Sequence, residues 1–200
     1  MTLVKLKVIQ SKNLKIQKKI NMNIIVFFDK DSKTSLSNDL LASTEGLLKA
    51  TKHKFEIVNI GREDLALCTG CIQCFMKNNG ICVNKDKMSE VNSRIKDFDT
   101  LIYVGPIVFG QFSSTIKNAM DKSQTIYISR LGKIPYVIAI GYNENLLEQE
   151  KKTFIDIFRK HYGESDIVHP LLKNNIDVFT ISSINENNTV IEKVRSLINV

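Results

Sequence analysis

Apolar residues along the chain fall into two patterns that alternate. Short continuous runs read as buried parallel strands: "MNIIVFF" from Met22, "TLIYVG" from Thr100, "IPYVIAIG" from Ile134 and "IDVFTISS" from Ile176. "KFEIVNI" from Lys54 is a further strand. Between them, apolar residues recur at helical spacing. Leu40, Leu41, Leu47 and Leu48 share one face over 37–52, and Met88, Val91 and Ile95 another over 86–98. "SSTIKNAMDKS" from Ser113, 145–163 ending at Gly163, and 188–200 complete the helices. Strands and helices therefore alternate about five times. Such alternation predicts βαβ units and one parallel sheet covered on both faces, with ligands at the carboxyl ends of the strands.

A chain of 200 residues suits one core. Residues 1–21 stand apart as a basic extension, with 22–200 as the domain. That extension carries six lysines and no acid, so the net charge of +7 leaves only +1 on the rest. The near-neutral body argues against a nucleic-acid surface. Val4, Leu6 and Val8 alternate with polar residues and suggest an added strand or hairpin. No apolar run reaches a membrane span, and Lys5 and Lys7 interrupt any signal-peptide core, so a cytoplasmic protein with no membrane partner is expected.

All 4 cysteines, Cys68, Cys71, Cys74 and Cys82, lie within 15 consecutive residues, spaced C-x2-C-x2-C-x7-C. The first three match the ferredoxin-type run, and four thiolates suit a [4Fe–4S] cluster. Zinc competes, although its four-cysteine sites usually use two separated C-x2-C knuckles. Reduced unmetallated thiols or a transient disulfide are the third possibility. His53, His161 and His169 are scattered, with no ligand spacing, and read as structural.

"CTGCIQCFMKNNGICVNKDKM" followed by "DTLIYVGPIVFGQFSSTIKNAMDK" resembles the NAD(P)H-dependent FMN reductases of the flavodoxin-like superfamily, and within them the iron–sulfur flavoproteins. The matching positions are Asp86, Met88, Pro106, Phe109, Gly110, Ser113 or Ser114, Lys117 and Asp121. The resemblance implies a three-layer sandwich on a five-stranded parallel sheet, non-covalent FMN, and NAD(P)H as hydride donor. It also implies a small-molecule or protein electron acceptor, and a homodimer or homotetramer. No side chain is expected to act as catalytic acid or base. The segment Pro106, Ile107, Val108, Phe109, Gly110 and Gln111 would face the flavin, with Gly105 and Gly110 admitting close backbone approach. Gly141, Tyr142 and Asn143 would form a further flavin loop, in which Asn143 or Asn145 could instead cap the next helix.

At the phosphate turn the chain departs from the family. "FFDKDSKTSLSNDLL" offers Lys33, Thr34, Ser35 and Ser37 ahead of a helix N-terminus. Asp29 stands where glycine is expected, and Asp31 is close by. Both oppose a phosphate dianion, and Lys30 and Lys33 offset them only partly. The segment also reads as a surface loop with Ser37 as N-cap. A flavin-free relative, using the cysteine loop for metal binding or redox sensing, is the alternative expectation.

Overall fold

The computed structural model describes residues 21–78, 81–123, 135–160 and 175–198. The expected strand at Val4–Val8, His161, His169 and the end of a helix at Gly163 lie outside these residues.

Five parallel strands are β1 (Asn23–Asp29), β2 (Lys54–Ile60), β3 (Thr100–Val108), β5 (Tyr136–Tyr142) and β6 (Ile176–Ile181). They lie in the order β2-β1-β3-β5-β6, and the two-residue β4 (Gln111–Phe112) pairs antiparallel with the end of β3. This is the flavodoxin-like order, with its switch point between β1 and β3. The three central strands are buried nearly throughout, which is why they read as unbroken apolar runs.

Six helices flank the sheet among the described residues: α1 (Ser35–Lys49), α2 (Gln73–Met76), α3 (Lys87–Arg94), α4 (Ser114–Ser123), α5 (Glu148–Arg159) and α6 (Ile184–Ile198). On one face, Leu36, Leu40 and Leu47 of α1 and Val190, Ile191 and Val194 of α6 pack on Ile24, Val26 and Ile102. On the other, Met88, Ile116, Met120 and Phe154 pack on Ile25, Phe27 and Tyr103. Each fully buried Leu, Ile or Phe contributes roughly 1.5–3 kcal/mol relative to exposure. The expected three layers therefore form, with Met88, Val91 and Ile95 all buried as their spacing indicates.

His53 ties three chain segments at the amino end of the sheet. Its Nδ1 accepts from the Met22 amide at 3.2 Å, and its Nε2 lies 2.8 Å from the Ile198 carbonyl. An amide can only donate and a carbonyl can only accept, so the ring is the neutral Nε2–H tautomer. The histidine is structural, as expected.

Three boundaries differ from expectation. Thr34, not Ser37, caps α1: its Oγ1 accepts from the Ser37 amide at 3.1 Å. Neither Asn143 nor Asn145 caps α5, which opens at Leu147 with the Glu150 carboxylate accepting the Leu147 amide at 3.2 Å. Strand β3 does not stop at Gly105. It continues through Pro106 and Ile107 to Val108, because Pro106 still pairs with Tyr142 of β5 and Ile107 with Phe112 of β4.

Candidate functional site

Four loops meet the carboxyl edge of the sheet. They follow β1, β2, β3 and β5, and they carry the residues singled out from the sequence.

After β3 the chain reverses in a two-residue turn, Phe109–Gly110. Both residues have positive φ, 50° and 75°, the pair of left-handed conformations a type I′ hairpin needs. Glycine takes this without cost, whereas phenylalanine does not. Gly110 also has no room for a side chain, since a Cβ there would lie 2.9 Å from Thr153 of α5. The Ser113 amide donates to the Pro106 carbonyl at 2.9 Å, and the Asn143 side chain donates to the Ile107 carbonyl at 3.0 Å. This scaffold holds the Phe109 ring 89% exposed at the mouth of the crevice, beside half-exposed Val108 and exposed Gln111. An exposed aromatic in a strained turn is a feature that ligand sites carry.

Not every expected residue faces this crevice. Ile107 is fully buried, and a Cβ on Gly141 would come within 2.6 Å of it and 2.7 Å of Phe154. A Cβ on Gly105 would come 2.6 Å from Ile116. Gly105 and Gly141 are thus small because side chains of β3, α4 and α5 pack on them.

The β1–α1 loop is built around its acids. Asp29, 1% exposed, accepts from the Ser113 hydroxyl and from the Asp31 amide, the latter at 3.0 Å. Asp31 accepts from the Arg62 amide at 2.8 Å and from Thr115 at 3.4 Å. Lys30 turns away to Glu63 and Asp64, at 2.7 and 2.9 Å. Ser37 is buried and donates to the Ser32 and Thr34 carbonyls at 2.8 and 2.9 Å. Ser35 donates to Glu144 of the β5 loop at 3.1 Å, and Lys33, Thr34 and Ser35 are exposed. The Tyr142 hydroxyl is buried at the same place with no hydrogen bond of ordinary geometry. Burial pushes its phenol up to about 12, with Ser32, Asp29 and Ser37 the polar groups acting on it.

The cysteine loop follows β2. It is fastened to α3 and α4 by Asp86, a motif position, and by Asn118 and Lys122, which no motif marks. Asn118 accepts from the Cys68 amide at 2.9 Å and donates to the Ala66 carbonyl at 3.1 Å. Asp86 caps α3, accepts from the Ala66 amide at 3.0 Å, and pairs with Lys122 at 2.8 Å. The Lys122 ammonium is fully buried and lies 3.4 Å from the Cys82 sulfur. Burial works against its charge, but Asp86 and Cys82 outweigh this, and its pKa is raised. The Gln73 amide at the start of α2 lowers the Cys71 thiol, with help from Thr69.

None of the four cysteines is in a disulfide; Cys68 and Cys71 are exposed and Cys74 and Cys82 half-buried. Among the described residues no three Cys, His, Asp or Glu side chains are grouped to hold a metal. The expected four-thiolate set is therefore not gathered among these residues. Ile72 shows where the loop is bent: it is β-branched, 60% exposed, and has φ of 51°.

A flavin fits the other loops better. The carboxyl ends of the strands at the switch point are where such sheets take ligands, the exposed Phe109 stands at that edge, and the Tyr142 hydroxyl, without a hydrogen-bond partner, sits where α1 begins. No helix among the described residues is long and apolar enough to cross a membrane.

Comparison with known proteins agrees with this geometry. An iron–sulfur flavoprotein of Methanocaldococcus jannaschii is 29% identical over 92 residues, covering 45% of this chain and 47% of the relative. An iron–sulfur flavoprotein of Archaeoglobus fulgidus is 27% identical over 85 residues, covering 42% and 39%. The chain thus spans about half the length of these relatives or less. Among solved structures, an NAD(P)H:quinone oxidoreductase of Methanothermobacter marburgensis superposes with a TM-score of 0.61 at 15% identity, covering 90% of this chain and 96% of that one. An FMN-dependent NADH-azoreductase of Bacillus anthracis, in complex with FMN, gives 0.53 at 14% identity, covering 89% and 99%. These two show the fold. Residues 22–162 match the sequence model of the NADPH-dependent FMN reductases, and the chain belongs to that family.

Proposed function

We propose that this protein is an NAD(P)H-dependent oxidoreductase that binds FMN non-covalently and passes electrons to a small-molecule or protein acceptor. The observation that carries the reading is Phe109, held exposed at the carboxyl edge of a sheet whose strand order reverses between β1 and β3. The family supports the cofactor and the hydride donor.

Bound FMN would supply the chemistry, accepting a hydride and releasing electrons. The chain's own residues supply placement. The Phe109–Gly110 turn offers a ring face and two main-chain groups at the crevice mouth, and its anchors at Asn143, Ser113 and Thr153 keep that surface fixed. Thr34, Ser35, Lys33 and the first turn of α1 would hold the phosphate end of the flavin, with Tyr142 close by, and Gln111 and Val108 would border the ring. No acid or base is assigned, because hydride transfer to a flavin requires none from this crevice.

For the cysteine loop, the C-x2-C-x2-C-x7-C spacing and the similarity to iron–sulfur flavoproteins favour a [4Fe–4S] cluster as occupant. The loop would have to close to gather its thiols, and no electron path is drawn through it. Iron and acid-labile sulfide in equal amounts in anaerobically purified protein is the expected result. Stoichiometric zinc, or no metal, would overturn the cluster. A cytoplasmic homodimer or homotetramer is the proposed working form, to be read by light scattering.

The test of the main reading is anaerobic. FMN-loaded protein mixed with NADPH should lose its flavin colour and regain it on adding a quinone or oxygen. Loaded protein that neither NADPH nor NADH reduces would remove the assignment.

A further inference from the structure

Strand β2 is an outer strand of the sheet, next to β1 on one side only. The Lys54 amide donates to the Met22 carbonyl and the Lys30 amide to the Ile60 carbonyl, both at 2.9 Å. Lys54, Glu56, Val58 and Ile60 therefore turn their main-chain groups toward β1, and Phe55, Ile57 and Asn59 turn theirs outward. The Asn59 carbonyl accepts from the Lys87 ammonium at 2.6 Å. The outward amides and carbonyls of Phe55 and Ile57 meet no partner among the described residues. Their side chains lie on the α1 and α6 face, where Ile57 packs on the core and Phe55 is 36% exposed. On the other face Glu56 pairs with Arg94 of α3 and stays partly exposed.

An open strand edge is a template for another strand. We propose that Val4–Val8 of the basic extension adds to this edge in its own chain as an antiparallel strand, with Leu6 opposite Ile57 and Val8 opposite Phe55. Each of these pairs exchanges two main-chain hydrogen bonds. The path favours this occupant. Met22 is bonded to Lys54 at the start of β2, so residues 9–21 lead to the amino end of that strand. They need only cross β2, about 10 Å at two strand spacings, to place a strand running opposite to β1. The side chains favour it as well. Val4, Leu6 and Val8 alternate with Lys5 and Lys7. With Leu6 and Val8 on the Phe55 and Ile57 side, Lys7 stands across from Glu56, and opposite charges across a strand pair are favourable. A slip of one residue would put lysines over Phe55 and apolar side chains on the Glu56–Arg94 pair, so the faces fix the register's parity.

Residue-resolved amide hydrogen exchange on the full chain tests this. In the full-length Leu6→Pro chain, which loses a strand donor, Phe55 and Ile57 should exchange about tenfold faster or more than in the native chain. The amides of Lys54, Glu56 and Val58 are bonded to β1 and should exchange alike in both, which also reports that the variant is folded. Lys7→Glu sets two carboxylates side by side and should speed exchange at Phe55 and Ile57 about threefold or more, an effect that fades as salt rises. A contact between the α-hydrogens of Lys7 and Glu56 should arise within one chain when labelled and unlabelled protein are mixed. Equal exchange at Phe55 and Ile57 in the native and Leu6→Pro chains would overturn the proposal. A Lys7–Glu56 contact found only between labelled and unlabelled chains would also overturn it, in favour of strand exchange between two copies. Neither result touches the flavin assignment.

Discussion

Lys122 is a fully buried cation, and its charge is sustained by Asp86 at 2.8 Å and by the Cys82 sulfur at 3.4 Å. Removing one partner of a buried pair strands the other. Lys122→Met should therefore lower stability by about 3–5 kcal/mol in urea unfolding. Adding Asp86→Asn, which keeps the α3 cap, should recover part of that loss, whereas independent losses would separate the two residues. Tyr142 and Tyr103 make a second statement at this scale. Burial pushes both phenols from 10.0 to about 12. Below pH 10 both are neutral in folded and unfolded chains, and their contribution is fully present. Between pH 10 and 12 only the unfolded chain ionises, so stability falls as pH rises through that window. Tyr142→Phe should make this fall shallower, by roughly 1–3 kcal/mol across the window. An unchanged slope would mean the hydroxyl is not buried. The sequence did not reveal these roles. Lys122 lies next to Met120 and Ser123 on the buried face of α4, a position where a lysine demands a buried acid. The helix read over 113–123 includes Lys122, but nothing local marks that lysine as buried. Asp29, by contrast, was visible as an anomaly, but its partner Ser113 is 84 residues away and only the fold brings them together.

At the scale of elements, the Phe109–Gly110 turn and the cysteine loop are the parts under tension. Gly110→Ala would meet both a φ of 75° and Thr153, and should cost about 1–3 kcal/mol of stability. Phe109→Gly should do the reverse. It relaxes the turn, so stability should hold or rise by up to about 1 kcal/mol, while flavin affinity drops at least several-fold. Loss of both together would make Phe109 a packing residue. The cysteine loop hangs on Asn118, which bonds to Cys68 and Ala66 at once. Asn118→Ala should speed proteolysis within 66–78 while the sheet's hydrogen exchange stays slow. Element types were legible because buried parallel strands and amphipathic helices leave different apolar periods. Their ends were less so. β3 runs past Gly105 because pairing to β5 and β4 continues, a tertiary cause that no local pattern carries. The α1 cap was misplaced by three residues because Thr34, Ser35 and Ser37 are all competent caps and only the chain's path from β1 selects Thr34.

At the scale of the molecule, most of the large apolar side chains left exposed among the described residues lie at one edge of the sheet. Leu67, Ile72 and Met76 follow β2, Val108 and Phe109 end β3, and Leu147 follows β5. The opposite edge is tied shut by His53 and by Asp99, which accepts from the Asn23 amide at 2.9 Å. A sheet closed at one edge and apolar at the other is arranged to receive a flat, partly apolar ligand where its strands end. The family motif pointed to that edge from sequence alone. What it could not show is that the cysteines nearby are not gathered into a ligand set, since spacing fixes reach and not convergence. The central claim is that the edge holds flavin. Full-length protein incubated with excess FMN and passed through gel filtration should carry close to one FMN per chain, and that flavin should be bleached by NADPH without oxygen. Protein that emerges colourless after saturating FMN, yet folded by circular dichroism, would contradict the account.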